Sequence, residues 1–264
     1  EAIDLLQGMA EGQGSAAQAH LAIVRTHLAN DDLEAAEAYL EEALAEAPDD
    51  VGLRYLMAGL QATAGEIEAA AAGFTALVEE DPRRALVWEA LFRLYMRNGR
   101  FEDAEAVLDE ALEANPGAAR LQWAKAGILE QAGDIEGAIA IYETLYEQNS
   151  DSVIIANNLA SLISAYRSDP ESLERAWNIA RRLRGLEQPA FQDTFGWIAA
   201  RRGNLEEAIE HLEPAAAGLP NDPLVQYHLG IAYADAGRTE DAIVQLRRAL
   251  EVAGPADTRS QFET

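Results

Sequence analysis

The 264-residue chain contains no cysteine. This excludes disulfides, zinc–thiolate sites and thiol nucleophiles and leaves the redox compartment open. Positive charge is scarce. Twenty Lys and Arg, with Lys125 the sole lysine, stand against 46 Asp and Glu, for a net charge of −26. A surface of that sign repels phosphate backbones and anionic lipid, so nucleic acid is excluded as a partner. No apolar run approaches the roughly 18 residues of a membrane-spanning helix, and no direct membrane insertion is expected. Aromatics are few at 7%, yet 49% of the residues are hydrophobic and 25% charged, the balance of an ordered chain.

What the sequence does have is a period. Pro48, Pro82 and Pro116 stand 34 residues apart, and a further step of 34 lands on Ser150. Counted from residue 17, the twentieth place of each unit is Ala: Ala36, Ala70, Ala104, Ala138, then Ala176 after an insertion, Ala208 and Ala242. Four places on, the residue is apolar (Leu40, Phe74, Leu108, Tyr142, Ala180, Leu212, Leu246). Five places before the Ala sits a turn residue: Asp31, Gly65, Gly99, Gly133, Gly203 or Gly237. Each unit therefore reads as two helices joined by a tight turn. Gly supplies the left-handed residue that ends the first helix, Pro follows the second, and the small Ala lets the two helices approach closely.

These units resemble tetratricopeptide repeats, whose pattern runs W-x2-L-G-x2-Y, then A-x3-F, then P. Trp88, Leu91, Tyr95, Ala104, Leu108 and Pro116 carry the match in one unit, and Leu229, Gly230, Tyr233, Ala242 and Leu246 in another. The resemblance covers residues 17 to 256 and implies an all-α fold, a right-handed superhelical solenoid of antiparallel helix pairs. The expected units are 17–50, 51–84, 85–118, 119–152, 153–188, 189–222 and 223–256, followed by a 257–264 tail. Residues 1–16 are expected to be the second helix of a truncated repeat plus a linker, as in a piece of a longer repeat protein. The unit 153–188 is two residues longer than the rest. Within it Ser168-Asp169-Pro170-Glu171 reads as a capping box that restarts a helix. Arg184 to Pro189 reads as a loop shorter than its equivalents.

Charge is uneven: residues 1–152 carry −21, residues 153–202 carry +2 and residues 203–264 carry −7. The arginines of the middle segment either attract an acidic partner or balance acidic neighbours on outer helix faces. Chemistry is hard to find. Gly12-Gln13-Gly14-Ser15-Ala16-Ala17 is a loose dinucleotide-binding string, but a helix and not a strand precedes it. His20 and His27 occupy packing places, no HExxH, calcium-loop or phosphate-loop string occurs, and the acidic pairs fall at helix starts or on exposed faces. Neither a catalytic residue, a metal nor a cofactor is expected, and the chain reads as non-enzymatic.

In the family that the chain resembles, ligand contacts come from the second, fifth, ninth, twelfth and thirteenth places of the first helices. Carried over, this implies a peptide-binding groove of Tyr55, Glu89, Arg93, Met96, Arg97, Arg120, Trp123, Gln131, Asn157, Ser161, Trp197 and Tyr227, with Leu21 and Arg25 at its start. Arg, Tyr, Trp and Met are the residue types enriched at interface centres. Trp123 and Trp197 can equally fill gaps between helices. Arg93, Arg97 and Arg120 would face an anionic segment, because guanidinium groups take carboxylates in paired fashion. Leu21 and Arg25, Tyr55 and Gly59, and Glu89 and Arg93 depart from the carboxylate clamp that holds chaperone tails. The stretches Asn157 to Ala160 and Gln192 to Trp197 are similar to bacterial envelope-associated repeat proteins, which implies the periplasm or cell envelope over the cytoplasm. The expected function is a protein-interaction scaffold that binds a peptide segment or partner helix in its concave groove, an acidic segment of a protein or peptide partner being the expected ligand. The alternative is a structural or assembly subunit that self-associates, or docks other domains, through its exposed terminal helices.

Overall fold

The computed structural model describes residues 16–253. The expected helix in residues 1–10 and the glycine string from Gly12 to Ser15 lie outside the described residues. Among the described residues there are fourteen α-helices and no strand. In chain order they are α1 Ala16–Ala29, α2 Leu33–Glu46, α3 Val51–Ala64, α4 Ile67–Glu80, α5 Ala85–Arg97, α6 Phe101–Ala114 and α7 Ala119–Ala132. There follow α8 Ile135–Gln148, α9 Val153–Tyr166, α10 Pro170–Ala180 with a 3-10 turn at Arg181–Leu183, α11 Pro189–Arg201, α12 Leu205–Gly218, α13 Pro223–Asp235 and α14 Thr239–Ala253. The fold is all-α and built of consecutive helix pairs. The chain divides into two compact units, residues 1–125 and 126–264.

Several helices start on a capping side chain, and most first helices of a pair end at a left-handed residue. Asp50 accepts a hydrogen bond from Leu53 N at 2.8 Å at the head of α3, and Asp222 does the same for Leu224 N at 2.9 Å at the head of α13. Such caps satisfy amide groups that have no partner within the helix. The five turn glycines foreseen between paired helices all have positive φ, from 71° to 84°, and Asp31 stands at 55°. That region is open to Gly and tolerable for Asp, whose short polar side chain bonds locally.

Packing within a pair rests on the alanines of the second helix. All seven are 0–4% exposed. Their partners one turn on are also buried, from Leu40 at 0% to Phe74 at 3%, except Leu246, which is half-buried on α14. In the unit of residues 1–125, α1 packs on α3 and α3 on α5, so the first helices of successive pairs form a continuous layer. In the unit of residues 126–264, α9, α11 and α13 are joined in the same way. Leu159, Ile163, Phe195, Ile198, Leu212 and Leu229 fill that unit's interior.

The irregular pair, α9 and α10, corrects two expectations. The helix restart is capped by Asp169 and not by Ser168: Asp169 has extended backbone (φ −69°, ψ 150°) and accepts from Ser172 N at 2.8 Å. Pro170 forces this shift, because the residue before a proline is driven out of the helical region, which is the cap conformation. The connection after α10 is longer than its equivalents, not shorter. Residues 184–188 separate the 3-10 turn from α11, whereas four residues separate α4 from α5. The surplus is absorbed by ending α10 early in a 3-10 turn and by placing Gly185 at φ 79°.

Tyr142 is 2% exposed; its hydroxyl donates to Glu130 Oε1 at 2.8 Å and accepts from Asn158 Nδ2 at 3.2 Å. Burial, reinforced by Glu130, pushes its pKa up to about 12. Tyr233, donating to Glu213 at 2.8 Å, is likewise pushed up to about 12 by burial and that carboxylate.

Two measurements probe this fold. A methyl group added at Gly196 would stand 2.8 Å from Leu212 Cγ and 3.0 Å from the Ala208 carbonyl oxygen, whereas one at Gly127 would meet nothing within 4 Å. In urea unfolding, Gly196→Ala should therefore lose about 1–3 kcal/mol, and Gly127→Ala, inside α7, should gain about 0.5–1 kcal/mol. Raised tyrosine pKa values mean that the folded state keeps protons that the unfolded chain releases above pH ~10. The stability from Tyr142 and Tyr233 is thus complete below that pH and is lost as the pH climbs towards about 12. The double change of Tyr142 and Tyr233 to Phe should flatten the decline of unfolding free energy with pH in that window.

Candidate functional site

The first helices of the unit of residues 1–125 bound a groove of about 720 Å3. It has the size of a ligand or peptide site. From α1 come Leu21, Arg25 and Leu28; from α3, Tyr55, Leu56, Gly59 and Thr63; from α5, Arg93, Leu94 and Arg97. The side chains arrive there because the spacings 21/25/28, 55/59/63 and 93/97 each follow one face of a helix. Tyr55 packs against Phe74 of α4 at a ring separation of 5.5 Å, which holds the aromatic wall upright. Gly59 leaves open space where a side chain would otherwise project. The floor is apolar and the rim is cationic.

The rim is unusual for this chain. In the same unit, Arg54 pairs with Glu80 at 2.6 Å, Arg100 with Glu68 at 2.8 Å and Lys125 with Asp109 at 2.7 Å. Arg25, Arg93 and Arg97 are exposed and have no carboxylate partner among the described residues. A unit rich in acidic groups thus holds three open guanidinium groups on one groove. Arg120 differs: it stands 3.3 Å from Glu89, which is only 9% exposed. The anticipated set Arg93, Arg97 and Arg120 is therefore split, with two open members and one engaged.

The other anticipated residues fall as follows. Met96 on α5 and Trp123 on α7 are half-buried, and Gln131 is exposed. In the unit of residues 126–264, Asn157 donates to Asn158 Oδ1 at 3.3 Å, and Ser161 is half-buried with its carbonyl accepting from Ser164 Oγ at 3.0 Å. Trp197 stacks on His228 at 4.2 Å, with the planes 12° apart, and Tyr227 lies 6.3 Å away. His228 in turn is fixed by Asp193 at 2.9 Å. Arg201 donates to the Ser164 carbonyl at 2.6 Å and lies 5.8 Å from the Trp197 ring. Trp197 also packs against the cluster of Ala199, Leu229 and Tyr233. Of the two roles open to Trp197 in the sequence, this packing is that of a gap filler, and its indole Nε1 is buried without a hydrogen-bond partner among the described residues.

The middle arginines mostly balance acidic neighbours. Arg175 pairs with Glu143 at 3.1 Å and Arg184 with Glu207 at 2.8 Å, and Arg167 and Arg202 are held by Glu136 and Glu174. Sequence reasoning passed over Leu28, Gly59 and Thr63 as groove residues. The signal was present, since they occupy the twelfth, ninth and thirteenth places of their units, but none is large or charged. Among the described residues no group of three or more His, Asp or Glu is arranged to hold a metal ion. No helix there is long and apolar enough to cross a membrane.

Family models described as tetratricopeptide repeat match residues 27–94, 89–153 and 194–258. The chain is 27% identical, over 89% of its length, to cellulose synthase operon protein C of Xanthomonas axonopodis pv. citri, and spans 17% of the length of that relative. Among solved structures it is similar to YrrB, a TPR protein with an unusual peptide-binding site, with 20% identity and a TM-score of 0.53 over 69% of this chain and 93% of that one. It is similar as well to a tetratricopeptide repeat protein from Parabacteroides merdae ATCC 43184, at 17% identity and a TM-score of 0.53 over 94% and 98% of the two chains. The helix pairs, the buried alanines, the turn glycines and these matches agree, and the chain belongs to the tetratricopeptide repeat family.

Proposed function

We propose that the chain is a non-enzymatic protein-interaction scaffold whose groove on α1, α3 and α5 takes an acidic segment of a partner protein. The observation that carries this reading is the convergence of Arg25, Arg93 and Arg97, without carboxylate partners among the described residues, on an apolar floor of Leu21, Tyr55 and Leu56. Open guanidinium groups bind carboxylates in paired, directional fashion, and a preformed groove lowers the ordering cost of recognition. YrrB, a TPR protein with a peptide-binding site, supports a peptide as the class of ligand. The full set of contacts put forward is that of the sequence reading, with Arg120 and Glu89 as an ion-paired edge and Asn157, Ser161, Trp197 and Tyr227 as contacts of the unit of residues 126–264. The seven-unit division from residue 17 to residue 256 belongs to the same proposal. The relative from a cellulose synthase operon supports a bacterial cell-envelope setting.

A second reading rests on α14. Ile243, Val244 and Leu250 are 46%, 67% and 47% exposed. In repeat arrays such a face is ordinarily covered by a neighbouring element. Self-association through this face is the alternative function.

The readings are tested separately. With a synthetic peptide of Glu, Asp and Leu as probe and its Gln, Asn and Leu counterpart as control, calorimetry should find binding of the acidic peptide alone. The pair Arg93→Glu and Arg97→Glu should weaken it about tenfold or more, one lost charged hydrogen bond being worth roughly that factor. Unchanged affinity would sink the groove reading. Under the second reading, light scattering should show a concentration-dependent oligomer that Ile243→Asp and Leu250→Asp return to the monomer.

A further inference from the structure

We propose a second docking site in the unit of residues 1–125, on the other side of α5 from the groove, for a basic amphipathic segment of a partner protein. Ala90, Arg93 and Arg97 face the groove, whereas Trp88, Leu91 and Tyr95 face a separate cavity of about 510 Å3. Positions 88 and 90 lie about 160° apart around a helix of 3.6 residues per turn, so one helix presents both sites in opposite directions.

The floor of this cavity is apolar and internally satisfied. Val78, Trp88 and Leu91 are 3%, 6% and 2% exposed, and Val107 closes the side towards α6. Trp88 Nε1 donates to the Pro82 carbonyl at 2.8 Å, and Asn115 Nδ2 donates to the same oxygen at 2.8 Å, so the polar atoms of the floor are already engaged. The rim is formed by Glu79 of α4 and by Glu110 and Glu113 of α6. All three are exposed and none has a cationic partner among the described residues. Nearby cations are committed elsewhere. Arg84 and Arg54 go to Glu80, Lys125 to Glu105 and Asp109, and Arg100, 4.4 Å from the Tyr95 ring, to Glu68 and Asp103.

Three open carboxylates around an aromatic and aliphatic floor complement a segment with Lys or Arg on one side and Leu, Ile or Val on the other. Its ammonium or guanidinium groups meet Glu79, Glu110 and Glu113, and its apolar side chains cover the half-buried Tyr95 and Val107, which stand over the buried Trp88 and Leu91. The acidic segment proposed for the groove would be repelled here, so the two sites take segments of opposite charge.

The test uses the full chain and a synthetic amphipathic peptide of Lys, Leu and Ala, titrated by calorimetry at low and moderate salt. Because a chain of charge −26 attracts any polycation, the control is a second triple variant with the same charge change, Glu206→Gln, Glu210→Gln and Glu240→Gln. The variant Glu79→Gln, Glu110→Gln and Glu113→Gln should weaken binding about tenfold, and the control by less than about twofold. Val107→Glu adds a carboxylate but spoils the floor. It should weaken binding if the peptide docks, whereas diffuse attraction would make it tighter. Equal losses in the two triple variants, or tighter binding by Val107→Glu, would overturn the proposal. Arg93→Glu and Arg97→Glu should leave this peptide's affinity unchanged or raised, so failure at the groove and failure here are told apart; a loss there would overturn the proposal too.

Discussion

The closeness of two helices within each pair is the constraint from which the rest of this structure follows. Ala104, Ala138 and Ala208 are completely buried because a second helix reaches its partner backbone to backbone, with no room for a larger side chain. Gly196, facing Leu212 and the Ala208 carbonyl, and Gly230, facing Leu246, mark that close approach in the unit of residues 126–264. Once the pairs are this close, the short turns have no slack and take a left-handed residue in every pair but α9 and α10. The first helices are then left as a layer whose other face is free to carry other side chains. Under the proposed function, stability and binding are thereby assigned to different faces of the same short helices.

Electrostatics is organised on the same principle. Arg100 and Glu68, Arg120 and Glu89, and Arg175 and Glu143 are separated by 31 or 32 residues in sequence, so they link neighbouring pairs. Exposed pairs of this sort are each worth little. Their effect is to remove most cations from circulation, which makes the exceptions legible. In the unit of residues 1–125 the unpaired cations Arg25, Arg93 and Arg97 collect at one cavity, and three of the unit's many unpaired carboxylates, Glu79, Glu110 and Glu113, rim another. α5 stands between them, with bound aromatic floor on one side and arginines on the other.

Much of this was legible in the sequence, for reasons that can be stated. A 34-residue period with Ala, Gly and Pro at set places encodes backbone approach, turn handedness and helix termination, which are local matters, and the turn glycines and buried alanines stand where the spacing put them. The pair α9 and α10 was harder. Ser168 and Asp169 are both good caps, and only the restriction that Pro170 places on its predecessor decides between them. The site was partly legible. Arg93, Arg97 and Tyr55 reach one groove, but Leu28, Gly59 and Thr63 join it through their places and not through any chemistry of their own. Glu89 shows the remaining limit, since the pairing that engages Arg120 crosses from one helix pair to the next and has no signature in composition.

The connection between α9 and α10 differs from the other turns in a way that reaches beyond geometry. Arg167 there is in extended backbone, at φ −114° and ψ 136°, a conformation open to every amino acid. The other hairpins depend on a glycine, or on Asp31, and lose their shape if a bulkier residue drifts in. Arg167 and Ser168 carry no such backbone demand, and while the Arg167 side chain is held by Glu136, Ser168 is exposed. Ser168 is accordingly a natural graft point for a fluorophore tag or an epitope.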